Sequence, residues 1–147
     1  MLDGVFVTPA VTAIGEALAA LGESSTKIAV IGNAKLAKAL AEGRSVIPIG
    51  LSPRAARKVK GTIDDTSSLG DRSLDAVIGV DISTDDAWVE TLRAWTRIVR
   101  DGGAVVLIDR GHAVEASRRA LCAGLSELEQ RHAGRVVITS GLVTHLQ

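Results

Sequence analysis

What constrains this chain most is an alternation. Short aliphatic and β-branched runs recur: KIAVIGN at 27–33, SVIPIG at 45–50, TIDD at 62–65, LDAVIGV at 74–80 and AVVLID at 104–109. Segments with helical spacing separate them. A strand buried on both faces reads as an unbroken apolar run, and helical crossovers let consecutive strands lie parallel. The order predicts an α/β domain with a mostly parallel central sheet and helices on both faces. Two more β-rich runs, 126–132 and 136–146, flank Ala133 and Gly134 and predict a closing antiparallel hairpin. Pro48 costs the second run one ladder donor.

The punctuation between the runs is helical. Thr8 reads as an N-cap and Pro9 as the first helical position, with Ile14, Leu18 and Leu21 on one stripe and Gly22 as the stop. Residues 34–41 carry Leu36 and Leu40 on one face, with Gly43 as candidate C-cap. Ser52 and Pro53 open a helix expected to run through Arg54, Arg57, Lys58 and Lys60 to Gly61, and this basic run reads as a solvated face. Ser83 to Asp86 has capping-box spacing before a helix with Trp88, Leu92, Trp95 and Val99 on a core-facing stripe, stopped by Gly102 and Gly103. A last helix is expected over 112–123, ended by Gly124. Residues 1–147 thus read as a single domain, with an N-terminal helix within 1–25 and an α/β core over 27–147.

At 147 residues, folding hides roughly two-thirds of the unfolded surface, enough for a core without staples. Seventeen basic and seventeen acidic residues cancel, and Phe6, Trp88 and Trp95 are the only aromatics. That balance speaks against nucleic-acid binding, which favours a basic field and exposed rings. No apolar run is long enough to cross a bilayer, so no membrane partner is expected. Asp3, Thr8 and Pro9 are unlike a secretory signal, so a cytoplasmic location is expected. The single Cys122 excludes an internal disulfide framework and reads as a small buried thiol. His112 falls at a helix start, and His132 and His145 fall on the hairpin strands. Their spacing matches no metal-ligand pattern, and no metal is expected.

Several segments resemble one family. LSPRAARK at 51–58 resembles the stretch after the second strand in small-molecule class I S-adenosylmethionine-dependent methyltransferases. SLGDRSLDAVIG at 68–79 resembles their approach to the fourth strand, and LRAWTRIVRDGGAVVLIDRG at 92–111 their helix, Gly-Gly turn and fifth strand. AGLSELEQRHAGRVVITSGLV at 123–143 resembles their last helix end and hairpin. The resemblance implies a Rossmann-like methyltransferase fold with a C-terminal antiparallel hairpin, S-adenosylmethionine as cofactor and a small-molecule acceptor.

The departures lie at the cofactor motif. The family's first turn is an acidic residue followed by G-x-G-x-G, where backbone approaches the cofactor closely and a side chain collides. Here VIGNAKLA at 30–37 keeps Gly32 alone, followed by Asn33, Ala34, Lys35 and Leu36. After the second strand the family usually has a carboxylate that accepts both ribose hydroxyl protons, whereas this chain has Gly50, then Leu51 and Ser52. Losing such an anchor, at about 1.5–3 kcal/mol, weakens binding roughly ten- to a hundredfold. Asp65 aligns with the acidic residue that reads the adenine amino group, and it also suits a turn or cap. The cofactor candidates implied are therefore Gly32, Asn33, Ala34, Gly50, Leu51, Ser52 and Asp65. Asp81, after the fourth strand, is the catalytic candidate by analogy. Asp109 and Arg110 follow the fifth strand on the same edge, and each also suits a cap or an ion pair.

Three readings stay open. One is a pseudo-methyltransferase, catalytically silent, serving as a binding module for a protein partner or a second copy of itself. Another is an active methyltransferase on a small molecule, with a partner subunit completing the site. In the third, KIAVIGNAKLAKALAEG at 27–43 opens an NAD(P)-binding Rossmann domain, although its G-x-G-x-x-G fingerprint again has only Gly32. A turn closed by Asn33 and Leu36 would favour the silent domain, and an open crevice with a free helix start at Ala34 the dinucleotide.

Overall fold

The computed structural model describes residues 4–19, 27–41, 44–57, 59 and 61–145. Its helices are α1 (Gly4–Ala19), α2 (Ala34–Leu40), α3 (Pro53–Ala56), α4 (Trp88–Ile98) and α5 (Ala113–Cys122). Its strands are β1 (Lys27–Ile31), β2 (Ser45–Ile49), β3 (Leu74–Val80), β4 (Val99–Asp109), β5 (Ser126–Ala133) and β6 (Val136–Leu142). They form one sheet in the order β2-β1-β3-β4-β6-β5. The first four lie parallel, and β6 runs antiparallel between β4 and β5.

Alternation along the strands divides the core into two layers. Ala104, Val106 and Ile108 of β4 join Ile28 and Val30 of β1 beneath Ile14 and Leu18 of α1 and Leu36 and Leu40 of α2. Val105 and Leu107 face the other way, toward Leu92, Trp95 and Ile98 of α4 and Ala120 of α5. Both faces are covered over β1, β3 and the carboxyl half of β4, which is why those runs carry almost no polar interruption, whereas the edge strand β5 (SELEQRHA) is mostly exposed.

Several boundaries differ from the sequence expectation. The run at 62–65 gives only an isolated bridge, Ile49 to Ile63. Ile63 is its one aliphatic residue, and the exposed Asp64 and Asp65 follow it. α3 stops at Ala56 instead of Gly61 because it buries no residue and has no apolar stripe to hold it. α1 starts at Gly4, so Pro9 stands inside the helix. The expected stops at Gly22 and Gly43 fall outside the described residues. β4 begins at Val99, so Gly102 and Gly103 lie within a strand. There a Cβ on Gly103 would collide with the Asp75 carbonyl and the Val99 side chain.

The capping box at Ser83 does not form. Asp85 instead accepts from the Ala87 amide at 2.8 Å and the Thr91 hydroxyl at 2.8 Å, and α4 starts at Trp88. Trp95 is buried as expected, whereas Trp88 is half-buried with the Arg118 and Arg119 guanidinium groups 5.6 and 5.2 Å from its ring centroid. Cys122 is exposed, since it closes α5 on the solvent side. His145 lies beyond β6, with its Nε2 2.6 Å from the Val99 carbonyl. Among the described residues no helix is long and apolar enough to cross a membrane.

Candidate functional site at the carboxyl edge of the sheet

Strand order reverses at β1, which pairs with β2 on one side and β3 on the other. In open α/β sheets ligands gather outside the carboxyl ends of the strands at such a reversal. The loops after β1 and β2 form one half of this edge, and those after β3 and β4 form the other.

In the first half, Gly32 has φ +81°, a conformation that costs other residues strain, and a Cβ there would sit 3.3 Å from Val80 Cγ2. Its amide donates to the Ile49 carbonyl at 2.9 Å. Asn33 follows and is 6% exposed. Its side-chain oxygen accepts from the Leu36 amide at 2.9 Å, so Asn33 caps α2, whose first residue is Ala34. Leu36 itself is wholly buried in the core. Gly50 has φ +68° and donates its amide to the Ile63 carbonyl at 3.0 Å. Leu51 is half-buried, and Ser52 caps α3 by accepting from the Ala55 amide at 3.3 Å. Asp65 caps the short turn Thr66–Ser68, accepting from the amide of Ser67 at 2.9 Å and its hydroxyl at 2.5 Å. Those bonds hold its carboxyl below the usual carboxylate range.

These residues do not fit the set that the resemblance implies for S-adenosylmethionine. Gly50 brings no acceptor for a ribose, and one oxygen of the Asp65 carboxylate, Oδ1, is engaged with its own turn. Asn33 is buried and committed to a helix cap, and Ala34 and the buried Leu36 stand at the second and third glycine positions.

The second half is more polar. Asp81 has φ +59° and forms an ion pair with Arg110 at 3.6 Å. Asp109, the last residue of β4, is fully buried. One of its oxygens accepts from the Ser83 amide at 2.9 Å and hydroxyl at 2.7 Å. Its other oxygen, Oδ2, has no hydrogen-bond partner among the described residues. Burial pushes the Asp109 carboxyl up, and the nearby Asp81 charge adds to this, while the Ser83 bonds and His112 act the other way. His112 precedes α5 at φ +58°. A cavity of about 240 Å³ is lined by Asp81, Ser83, Thr84, Arg110 and His112. Two non-glycine residues in the left-handed region flank it, each at a cost of about 1–2 kcal/mol. Chemically, this half offers a guanidinium for an anionic group and a buried carboxyl inclined to keep a proton.

The structure thus separates the sequence candidates into two groups along one edge. It does not gather Gly32, Gly50 and Asp65 around shared free acceptors. The Ser83–Asp109 pair was not foreseen. Its signal was an aspartate closing an otherwise apolar run, AVVLID. Among the described residues no three His, Cys, Asp or Glu side chains are grouped to hold a metal.

No protein-family model matches the sequence, and no curated protein matches it. Solved structures do match. One is the Burkholderia thailandensis 1,6-didemethyltoxoflavin-N1-methyltransferase, with 1,6-didemethyltoxoflavin and S-adenosylhomocysteine bound, at a TM-score of 0.74 and 12% identity over 97% of this chain and 80% of that one. Another is a Haloferax volcanii methyltransferase in complex with the Trm112 activator, at 0.70 and 16% over 91% and 89%. A SAM-dependent methyltransferase from Thermotoga maritima matches at 0.67 and 14% over 94% and 99%. With the parallel strands and the β4-β6-β5 closure, these likenesses establish that the chain has the Rossmann-like fold of the class I methyltransferases.

Proposed function

We propose that this chain is a methyltransferase-fold binding module that has lost S-adenosylmethionine chemistry. The observation that carries the reading is the β1 turn. The motif's second and third glycine positions hold Ala34 and the wholly buried Leu36, Asn33 beside Gly32 is buried and caps α2, and Gly50 offers no ribose anchor. The same cap weakens the NAD(P) reading, because the Asn33 side chain already takes the Leu36 amide at the start of α2. The work of such a module is to bind a protein partner or a second copy of itself, in a cytoplasmic setting. Mass spectrometry of the gently purified protein tests this. The expected result is no adenosyl compound in the released small molecules, and stoichiometric S-adenosylmethionine or S-adenosylhomocysteine would overturn it.

One observation favours a second reading, an active methyltransferase on a small-molecule acceptor with Asp81 as its catalytic residue. Strained backbone at Asp81 and His112 around the buried Asp109 is the kind of stored cost found at working sites. Against it, Asp81 is paired with Arg110, and that pair would have to open before Asp81 could accept a proton. A partner subunit could open it, and one structural neighbour is held in complex with the Trm112 activator.

A further inference from the structure

The zero net charge of this chain is a balance of two unlike parts. Residues 27–60 contain eight basic residues and one acidic residue, Glu42. The remaining residues contain nine basic and sixteen acidic ones. Outside the basic stretch, arginines are largely neutralised where they stand: Arg97, Arg100, Arg110, Arg118, Arg119 and Arg131 all form ion pairs. Inside it, Lys35, Lys38 and Arg54 form no ion pair among the described residues.

Those three side chains share one cavity. Lys35 and Lys38 from α2 and Arg54 from α3 line a cavity of about 380 Å³ together with Ser52, Ala34 and Ala55. A solvated helical face ordinarily mixes charges of both signs, as α5 does with Glu115 beside Arg118 and Arg119. Here three residues of one sign border one concavity with no acidic residue among its lining. We propose that this cavity binds the phosphate group of a small phosphorylated ligand. Arg54 supplies a planar fork for two phosphate oxygens, and the lysines supply point charges. The Ser52 oxygen accepts from the Ala55 amide, which leaves its hydroxyl proton to donate. Ala34 and Ala55 give the carbon part of the ligand an apolar wall. The volume lies within the roughly 300–1,000 Å³ range of small-molecule sites. Shortage of aromatic rings and confinement between two helices favour a small ligand over a nucleic-acid strand.

This goes beyond the binding-module reading; the cavity shares Ala34 and Ser52 with the cofactor candidates but not Gly32, Asn33, Gly50 or Asp65. Binding of S-adenosylmethionine would overturn that reading, whereas phosphate binding is read separately through Lys38 and Arg54, which are not among the cofactor candidates, so the two failures are distinguishable. The test is calorimetric titration of the whole chain with sodium pyrophosphate and with ADP. Adenosine, sodium chloride at matched ionic strength and a single-stranded RNA serve as comparisons. Saturable one-to-one binding of pyrophosphate and ADP, with none of adenosine, is expected. Arg54→Glu and Lys38→Glu should each weaken it roughly tenfold or more, with circular dichroism unchanged because both side chains are exposed. No saturable binding of either phosphate compound would overturn the proposal. So would affinity unchanged in both variants, or binding of RNA without binding of ADP, which would mark a backbone-docking surface instead of a pocket.

Discussion

Removing the Ser83 hydroxyl is the sharpest test of the polar half of the edge. That hydroxyl donates at 2.7 Å to Asp109, a carboxyl with no exposure and one unpartnered oxygen. A hydrogen bond to a charged group contributes about 1.5–3 kcal/mol, and Ser83→Ala leaves only the backbone donor. While Asp109 is ionised, the melting temperature of a chain of this length should fall by roughly 3–12 °C. The pH dependence identifies the charge. Burial raises the folded Asp109 carboxyl above its unfolded value, so the folded state takes up the proton first. The penalty of the buried charge is present above the folded value and is relieved as pH falls through it. Once Asp109 is protonated, the lost bond is a neutral one, worth about 0.5–1.5 kcal/mol. The deficit of Ser83→Ala should therefore be largest above the folded Asp109 value and shrink as pH falls through it. Denaturant melts of both proteins across that transition measure it. A deficit independent of pH would refute the assignment of Asp109 as a buried charge.

Other consequences are equally direct. Gly79→Ala should destabilise by about 1–3 kcal/mol in urea melts, because its Cβ would land in the Trp95 ring, and Trp95→Leu in the same chain should recover part of the loss. Asn33→Ala should cost about 0.5–2 kcal/mol, measured the same way, through loss of the α2 cap. An unchanged stability would remove the structural role given to Asn33. Hydrogen bonds from Arg118 and Arg119 hold the Glu115 carboxyl down to about 2, so NMR titration should find its midpoint there. Any stability from this pairing is present above the unfolded value and lost as pH falls toward 2, and Arg119→Ala should move the midpoint up toward 4.5.

Burial was the legible part of the sequence. LDAVIGV and AVVLID declare two-faced strands by composition alone, and both lie in the sheet. Boundaries decided by longer-range forces were not legible. Val99 has the spacing of an α4 residue, yet it pairs with Leu74 across the sheet. Ser83 has the spacing of a cap, but a carboxylate twenty-six residues away claims both of its donors. Cys122 sits among residues that read as core, and the turn of α5 puts it outside. At the site, the loss of glycines and of a β2 carboxylate was visible in the letters. What fills the turn was not, because Asn33 looks alike in sequence whether it lines a cleft or caps a helix.

The central claim is that the fold persists while S-adenosylmethionine recognition does not. The most direct measurement is calorimetric and thermal titration of the purified chain with S-adenosylmethionine and S-adenosylhomocysteine. A lost site predicts no saturable heat and no shift in melting temperature at millimolar ligand. A ligand at a hundred times its dissociation constant stabilises by about 2.7 kcal/mol, which here would raise the melting point by roughly 5–11 °C. A saturable one-to-one shift of that size would contradict the claim and return Asp81 to the role of first catalytic mutation.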